Sequence, residues 1–98
     1  MSAVPDSSAQ TAVLKAALND FRRIPGVGKK TAVVLWDLGL RLVSDLRGRD
    51  PETLYAAMEA LAGCHVDRCM LYVFRCAVYF AETVDPDPER LKWWNWKD

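Results

Sequence analysis

The 98-residue chain carries one histidine, three cysteines, no net charge and no long apolar run. A membrane-spanning helix needs about 20 predominantly apolar residues in succession, so none is expected. The polar opening MSAVPDSSAQ also lacks the charged-then-apolar order of a signal peptide, which makes a cytoplasmic protein with no membrane partner the expectation. An odd number of cysteines without a secreted-scaffold spacing excludes a disulfide framework and favours reduced thiols. Cys64, His65, Cys69 and Cys76 are of metal-ligating type, but they contain no C-x-x-C pair. Their C-H-x3-C-x6-C order matches no standard zinc or iron–sulfur spacing. Cys69 and Cys76 read as small buried hydrophobes and His65 as a loop cap or surface residue, so no metal and no cofactor are expected.

A neutral chain is an unpromising ligand for polyanions until its charges are placed. Phe21 to Arg49 holds Arg22, Arg23, Lys29, Lys30, Arg41, Arg47 and Arg49 against only Asp37 and Asp45, a local net charge of +5. The acids gather toward the C-terminus, at Glu82, Asp85, Asp87, Glu89 and Asp98. Such a bipolar domain presents one basic face to phosphate and stays neutral overall.

Strand alternation is missing too, and helical spacing recurs throughout. At this length the chain is one small domain, here residues 8–98 behind a disordered leader of residues 1–7. Ala12, Leu14, Ala17, Leu18, Phe21 and Ile24 share a helical face, and Pro25 stops that helix. A second helix starts near Gly28 or Lys29 and ends in a left-handed cap at Gly39. Ser44 is expected to cap a short turn through Leu46. Asp50-Pro51 opens a further helix with Leu54, Tyr55, Met58 and Leu61 inward, closed by Gly63. Asp67 caps a longer helix to about Thr83, apolar nearly all round and therefore central. Asp87-Pro88 starts a last short helix. The predicted fold is all-α, a compact bundle of about five or six short helices.

The densest chemistry lies in Ile24-Pro25-Gly26-Val27-Gly28-Lys29-Lys30-Thr31-Ala32. Gly26 and Gly28 can both take positive φ and leave no side chain between backbone and ligand. Val27 can turn inward and pin the flanking helices together. The amides of Gly26, Gly28 and Lys29 then face outward at a helix N-terminus, where the dipole favours an anion. Lys29 and Lys30 add charge, Thr31 adds a hydroxyl, and small Ala32 permits a close crossing with the first helix. A nucleotide-binding P-loop would need glycine at Arg23, serine or threonine at Lys30 and a preceding strand. The dinucleotide fingerprint would need glycine at Thr31, again after a strand.

This turn resembles the helix-hairpin-helix motif of DNA repair and recombination proteins. The resemblance implies phosphate contacts at Gly26, Val27, Gly28, Lys29, Lys30 and Thr31, with Arg22, Arg23, Arg41, Arg47 and Arg49 as supporting charge. Ala62-Gly63-Cys64-His65-Val66-Asp67 has the outline of a second, degenerate hairpin without the second glycine or the lysine pair. TAVVLWDLGLRLVSDLRGRDPETLY, VDRCMLYVFRCAVYFAE and LKWWNWKD extend the likeness. With these, the chain from about Leu14 resembles the small bacterial helix-hairpin-helix proteins called pathogenicity-locus proteins, some of which are named for mitomycin resistance.

Those readings converge on a non-enzymatic domain that binds DNA, duplex or branched, through its phosphates without sequence preference. It would act as an accessory factor in repair or recombination, alone or as a homodimer that doubles its hairpins. The alternative is a protein-interaction module with a structural hairpin, docking through Trp93, Trp94 and Trp96. These three indoles either pack back over the bundle, stack on unpaired bases or meet a protein partner. The acids around them at Asp87, Glu89 and Asp98 argue against stacking. A glycosylase reading has less behind it. Lys30 falls where endonuclease-III-type glycosylases carry a nucleophilic lysine, but Gly48 stands where their aspartate would be, with Asp45 and Asp50 only nearby. Asp20, Asp37 and Asp45 read as solvated surface charges, and Arg68 and Arg75 as partners for acids.

Overall fold

The protein, in a computed structural model that describes residues 7–98, is all-helical, with no strand among the described residues. Four α-helices, α1 (Ser7–Phe21), α2 (Lys29–Asp37), α3 (Pro51–Ala62) and α4 (Cys69–Glu82), are joined by turns. Three short 3-10 segments, at Val43–Leu46, Pro88–Leu91 and Trp93–Trp96, complete the order. The last predicted helix is thus two separate 3-10 turns. Apart from Ser7, which is helical, the expected leader lies outside the described residues.

Local chemistry sets most of the boundaries. The chain leaves α2 through Gly39, whose φ of 93° is open to glycine but costly for other residues. Its N–H donates to the Trp36 carbonyl at 3.0 Å and that of Leu40 to the Leu35 carbonyl at 3.1 Å, the paired bonds of a Schellman ending. Asp50 accepts the Glu52 N–H at 3.2 Å ahead of Pro51, which supplies no N–H at the first helical position. Gly63 closes α3 by donating to the Glu59 carbonyl at 2.9 Å. At α4 the Asp67 carboxylate accepts the Cys69 N–H at 2.9 Å, as a cap should.

Four expectations need correction. Ser44 does not cap the Val43–Leu46 turn but sits inside it. The cap is Asp45, which reaches back to accept the N–H groups of Arg41 at 2.9 Å and Leu42 at 3.1 Å, so it is not an idle surface charge. Leu61, expected inward, is 64% exposed because it lies on the last turn of α3, at the edge of a shallow groove with Val34, Asp37 and Met58. Ala12 is exposed as well, since only the C-terminal half of α1, from Ala17, reaches the core.

α4 is the spine. Leu71, Val73, Phe74, Cys76, Ala77, Val78 and Ala81 are all buried on it. Phe74 and Leu71 are wholly enclosed, and burying each such side chain contributes about 1.5–3 kcal/mol. α3 and the three 3-10 turns pack against α4, while α1 and α2 pack against each other with Phe21, Ile24, Ala32 and Leu35 between them and the rest of the core. The Val43–Leu46 turn joins the two halves. From α1, Asp20 accepts the Val43 N–H at 2.7 Å. Toward α4, the Arg47 guanidinium donates to the Ala81 carbonyl at 2.9 Å and the Gly48 N–H to the Glu82 carboxylate at 2.7 Å. Asp20, expected as a solvated charge, is therefore a tie between distant segments.

Candidate functional site

Between α1 and α2 the chain reverses in a tight turn. The Val27 N–H donates to the Ile24 carbonyl at 3.0 Å across Pro25 and Gly26. With proline second and Gly26 third at φ 87°, this is the arrangement of a type II β-turn. Ile24 and Val27 are buried beneath it, so the turn is packed from below. Val27 accordingly turns inward as expected and contributes packing, and its N–H is already engaged within the turn.

Gly28 departs from expectation in a more telling way. Its backbone is extended, at φ −90° and ψ −169°, where any residue is at ease. A Cβ built on it would meet nothing within 4 Å. Nothing inside the protein requires glycine here, so the space above this residue opens outward. Gly26 is the opposite case: besides its positive φ, an added Cβ would lie 2.9 Å from Trp93 Cδ1.

Gly28 is also the N-cap of α2, and no side chain caps the helix. The first intrahelical bond runs from the Ala32 N–H to the Gly28 carbonyl at 3.0 Å. The N–H groups of Lys29, Lys30 and Thr31 therefore precede the ladder and have no partner in it. Lys29 and Lys30 are exposed, and among the described residues no acid lies within ion-pair distance of either. Open donors, the positive end of the helix dipole and two ammonium groups coincide, and such a combination accommodates an anion. Sequence alone singles out the Gly26, Gly28 and Lys29 amides and the Lys30 and Thr31 side chains; the structure adds the open N–H groups of Lys30 and Thr31 at the same helix start.

The supporting arginines divide. Arg22 and Arg49 are exposed and make no ion pair among the described residues. Arg23 pairs with Asp20 at 2.7 Å. Burial works to raise the Asp20 carboxyl, but the Val43 N–H and Arg23 outweigh it and hold the group below its ordinary value of 3.8. Arg41 lies over the Trp36 ring at 3.6 Å and donates to the Trp36 and Leu40 carbonyls, capping the far end of α2. Arg47 is held by the Ala81 carbonyl. Three of the five thus have structural work.

The second turn, after α3, is built to the opposite electrostatic plan. Asp67 occupies the N-terminus of α4, its carboxyl held below the ordinary value chiefly by the Cys69 N–H. Glu59 accepts the Val66 N–H at 3.0 Å and pairs with His65 Nδ1 at 2.9 Å, and the Tyr55 hydroxyl donates to the Val66 carbonyl. Two carboxylates hold the place that a bound anion would take.

Other candidates fall into place by environment. Cys64 is exposed, Cys69 half-buried and Cys76 buried, with burial pushing the Cys76 thiol up to about 11. No three His, Cys, Asp or Glu side chains among the described residues gather into a metal-holding group. Asp45 and Asp50, the acids flanking Gly48 in the glycosylase comparison, are both engaged as caps. Arg68 and Arg75 pair with Asp98 at 2.6 and 2.8 Å. No described helix is long and apolar enough to cross a membrane.

The tryptophan tail folds back over the bundle. Trp96 packs on Tyr79 with ring centroids 5.4 Å apart and donates to the Arg90 carbonyl at 2.7 Å. Trp93 lies against Gly26, and Trp94 meets it edge to face at 5.7 Å while staying 49% exposed.

Comparison with known proteins adds an identity. McrB of Streptomyces lavendulae, a mitomycin resistance protein, is 32% identical over 78 residues, which are 80% of this chain and 70% of the relative. No solved structure matches. The family described as Cdd1, pathogenicity locus, matches residues 14–98. The match runs from the middle of α1 through both turns and the tryptophan tail, and the chain belongs to the pathogenicity-locus family.

Proposed function

We propose that this protein is a non-enzymatic helix-hairpin-helix domain that binds DNA through its backbone phosphates, without sequence preference. The observation that carries the reading is the N-terminus of α2. It has no side-chain cap, Gly28 there has no internal reason to be glycine, and two exposed lysines follow. Phosphate oxygens accept backbone N–H groups at such a helix start, and lysines beside it release counterions from the duplex. The contrast with α4, which carries its own carboxylate in the corresponding place, favours one working hairpin per chain. A single grip of this size gives a Kd on the order of 10⁻⁴ to 10⁻⁶ M at physiological salt, so a homodimer or an accessory role beside a larger repair or recombination partner suits it.

Lys30 supports charge contact better than catalysis, because Asp45 and Asp50, the acids nearest the position of the glycosylase aspartate, are occupied as caps. A tail-docking module is the weaker alternative, since Trp93 and Trp96 are turned onto the protein itself. The name of the Streptomyces relative supplies a cellular setting for trial, survival of mitomycin by cells with and without the hairpin lysines.

The direct test is a salt titration of duplex binding. Lys29→Ala with Lys30→Ala weakens binding and flattens the log–log slope by about 0.9 for each phosphate that is no longer neutralised. Wild-type protein that binds neither duplex nor single strand at low salt refutes the proposal.

A further inference from the structure

We infer that Trp94 is a stacking platform for an unpaired base, which directs the hairpin to DNA where duplex is interrupted: a gap, a branch or a frayed end. The inference rests on the phosphate-binding reading above and narrows its substrate.

Three of the four indoles are accounted for within the protein. Trp36 is covered by the Arg41 guanidinium, Trp93 lies against Gly26, and Trp96 packs on Tyr79. Trp94 alone is left 49% exposed, and it does not dangle. Its ring is held edge to face on Trp93 at an interplanar angle of 87°, and the Trp93–Trp96 turn that carries it packs on α4. A fixed, exposed indole face offers contact area at low entropic cost, and every base has a π-face to match it.

Its position connects it with the hairpin. Trp93 touches the Gly26 backbone on one side and the Trp94 ring on the other. That places Trp94 on the order of 10 Å from the turn, about three steps of a strand at 3.4 Å each. A strand whose phosphate is held beside this turn would bring its bases toward the ring. In intact duplex those faces are stacked and closed, whereas at a gap or branch they are free.

The acids around the tail, which argued against stacking, prove to be engaged. Glu89 pairs with Lys92 at 2.6 Å, Asp87 caps the Glu89 N–H at 3.0 Å, and Asp98 is shared by Arg68 and Arg75. Lys97 makes no ion pair among the described residues. Two of the three acids are thereby matched by cations, while Asp87 keeps its charge at a helix start.

The test is fluorescence anisotropy at low salt with labelled blunt duplex, the same duplex carrying a short single-stranded gap, and the single strand. Wild type should prefer the gapped DNA by about 5-fold or more. Trp94→Ala should lower gapped-DNA affinity to the blunt-duplex value, and Trp94→Phe should keep part of the preference. Lys29→Ala with Lys30→Ala should weaken all three complexes. Equal binding of gapped and blunt DNA by wild type, or a preference that survives Trp94→Ala, overturns this inference and leaves the phosphate grip standing; the indole face then belongs to a protein contact. Absence of binding to any of the three DNAs overturns both.

Discussion

Replacing Gly28 with serine should make the fold stronger and DNA binding weaker at once. The site accepts a side chain freely: its backbone is extended and an added Cβ meets nothing within 4 Å. A serine hydroxyl at an N-cap accepts an N–H from the first turn, a gain over glycine of a few tenths of a kcal/mol. Restricting the unfolded chain adds about 0.4–1 kcal/mol. The sum, about 1 kcal/mol, raises Tm by roughly 4–8 °C in a domain of this size. The same hydroxyl takes a donor from the phosphate. A hydrogen bond to a charged group is worth about 1.5–3 kcal/mol, so duplex affinity should fall about tenfold or more. Circular-dichroism melting and anisotropy on a labelled duplex read the two effects separately. Gly26→Ala is the control in the opposite sense. At φ 87°, with Trp93 Cδ1 2.9 Å from the new Cβ, it should lower stability by about 1–2 kcal/mol. A Gly28→Ser protein that melts higher yet binds DNA as tightly as wild type refutes the assignment of the α2 amides to phosphate.

Two further outcomes follow from the titrating groups. The folded Asp20 carboxyl holds its proton less tightly than the ordinary value of 3.8, so the stability it lends is complete above that value and lost as pH falls through the folded one. Urea midpoints of wild type and Asp20→Asn should therefore differ near neutrality and converge in strong acid, and a gap that stays constant down to about pH 2 contradicts this. Among the thiols, exposed Cys64 should react with a disulfide reagent at once. Cys76, enclosed and pushed up to about 11, should react only after denaturation, and its prompt labelling in the native protein contradicts the packing of α4.

Much of the architecture was legible because its signals are local. Pro25, Gly39, Asp50-Pro51, Gly63 and Asp67 each act within a few residues of themselves, and each ends or starts a helix as expected. The tight turn between α1 and α2 was legible for the same reason, down to the inward side chain of Val27. What escaped depends on distant partners. Asp20 looks like any surface acid until Val43, 23 residues on, is brought to it. Arg47 counts as free charge until the end of α4 arrives beside it. Gly26 and Gly28 look alike in sequence, and only the return of Trp93 shows that one is required by the fold and the other is not. Leu61 has the right helical phase to be buried but lies on the exposed last turn of α3.

The Val43–Leu46 turn is among the shortest elements in the molecule, yet it is tied to α1 by Asp20 and, through the residues that follow it, to the end of α4 by Arg47 and Gly48. A segment fastened from both sides cannot loosen for one helix pair alone. Because the turn is bonded to both pairs, the two are expected to open together rather than exchange independently. Amide protons in α2 and α4 would then escape to solvent in the same event, and the turn at Gly28 would be carried by a frame that is either whole or unfolded.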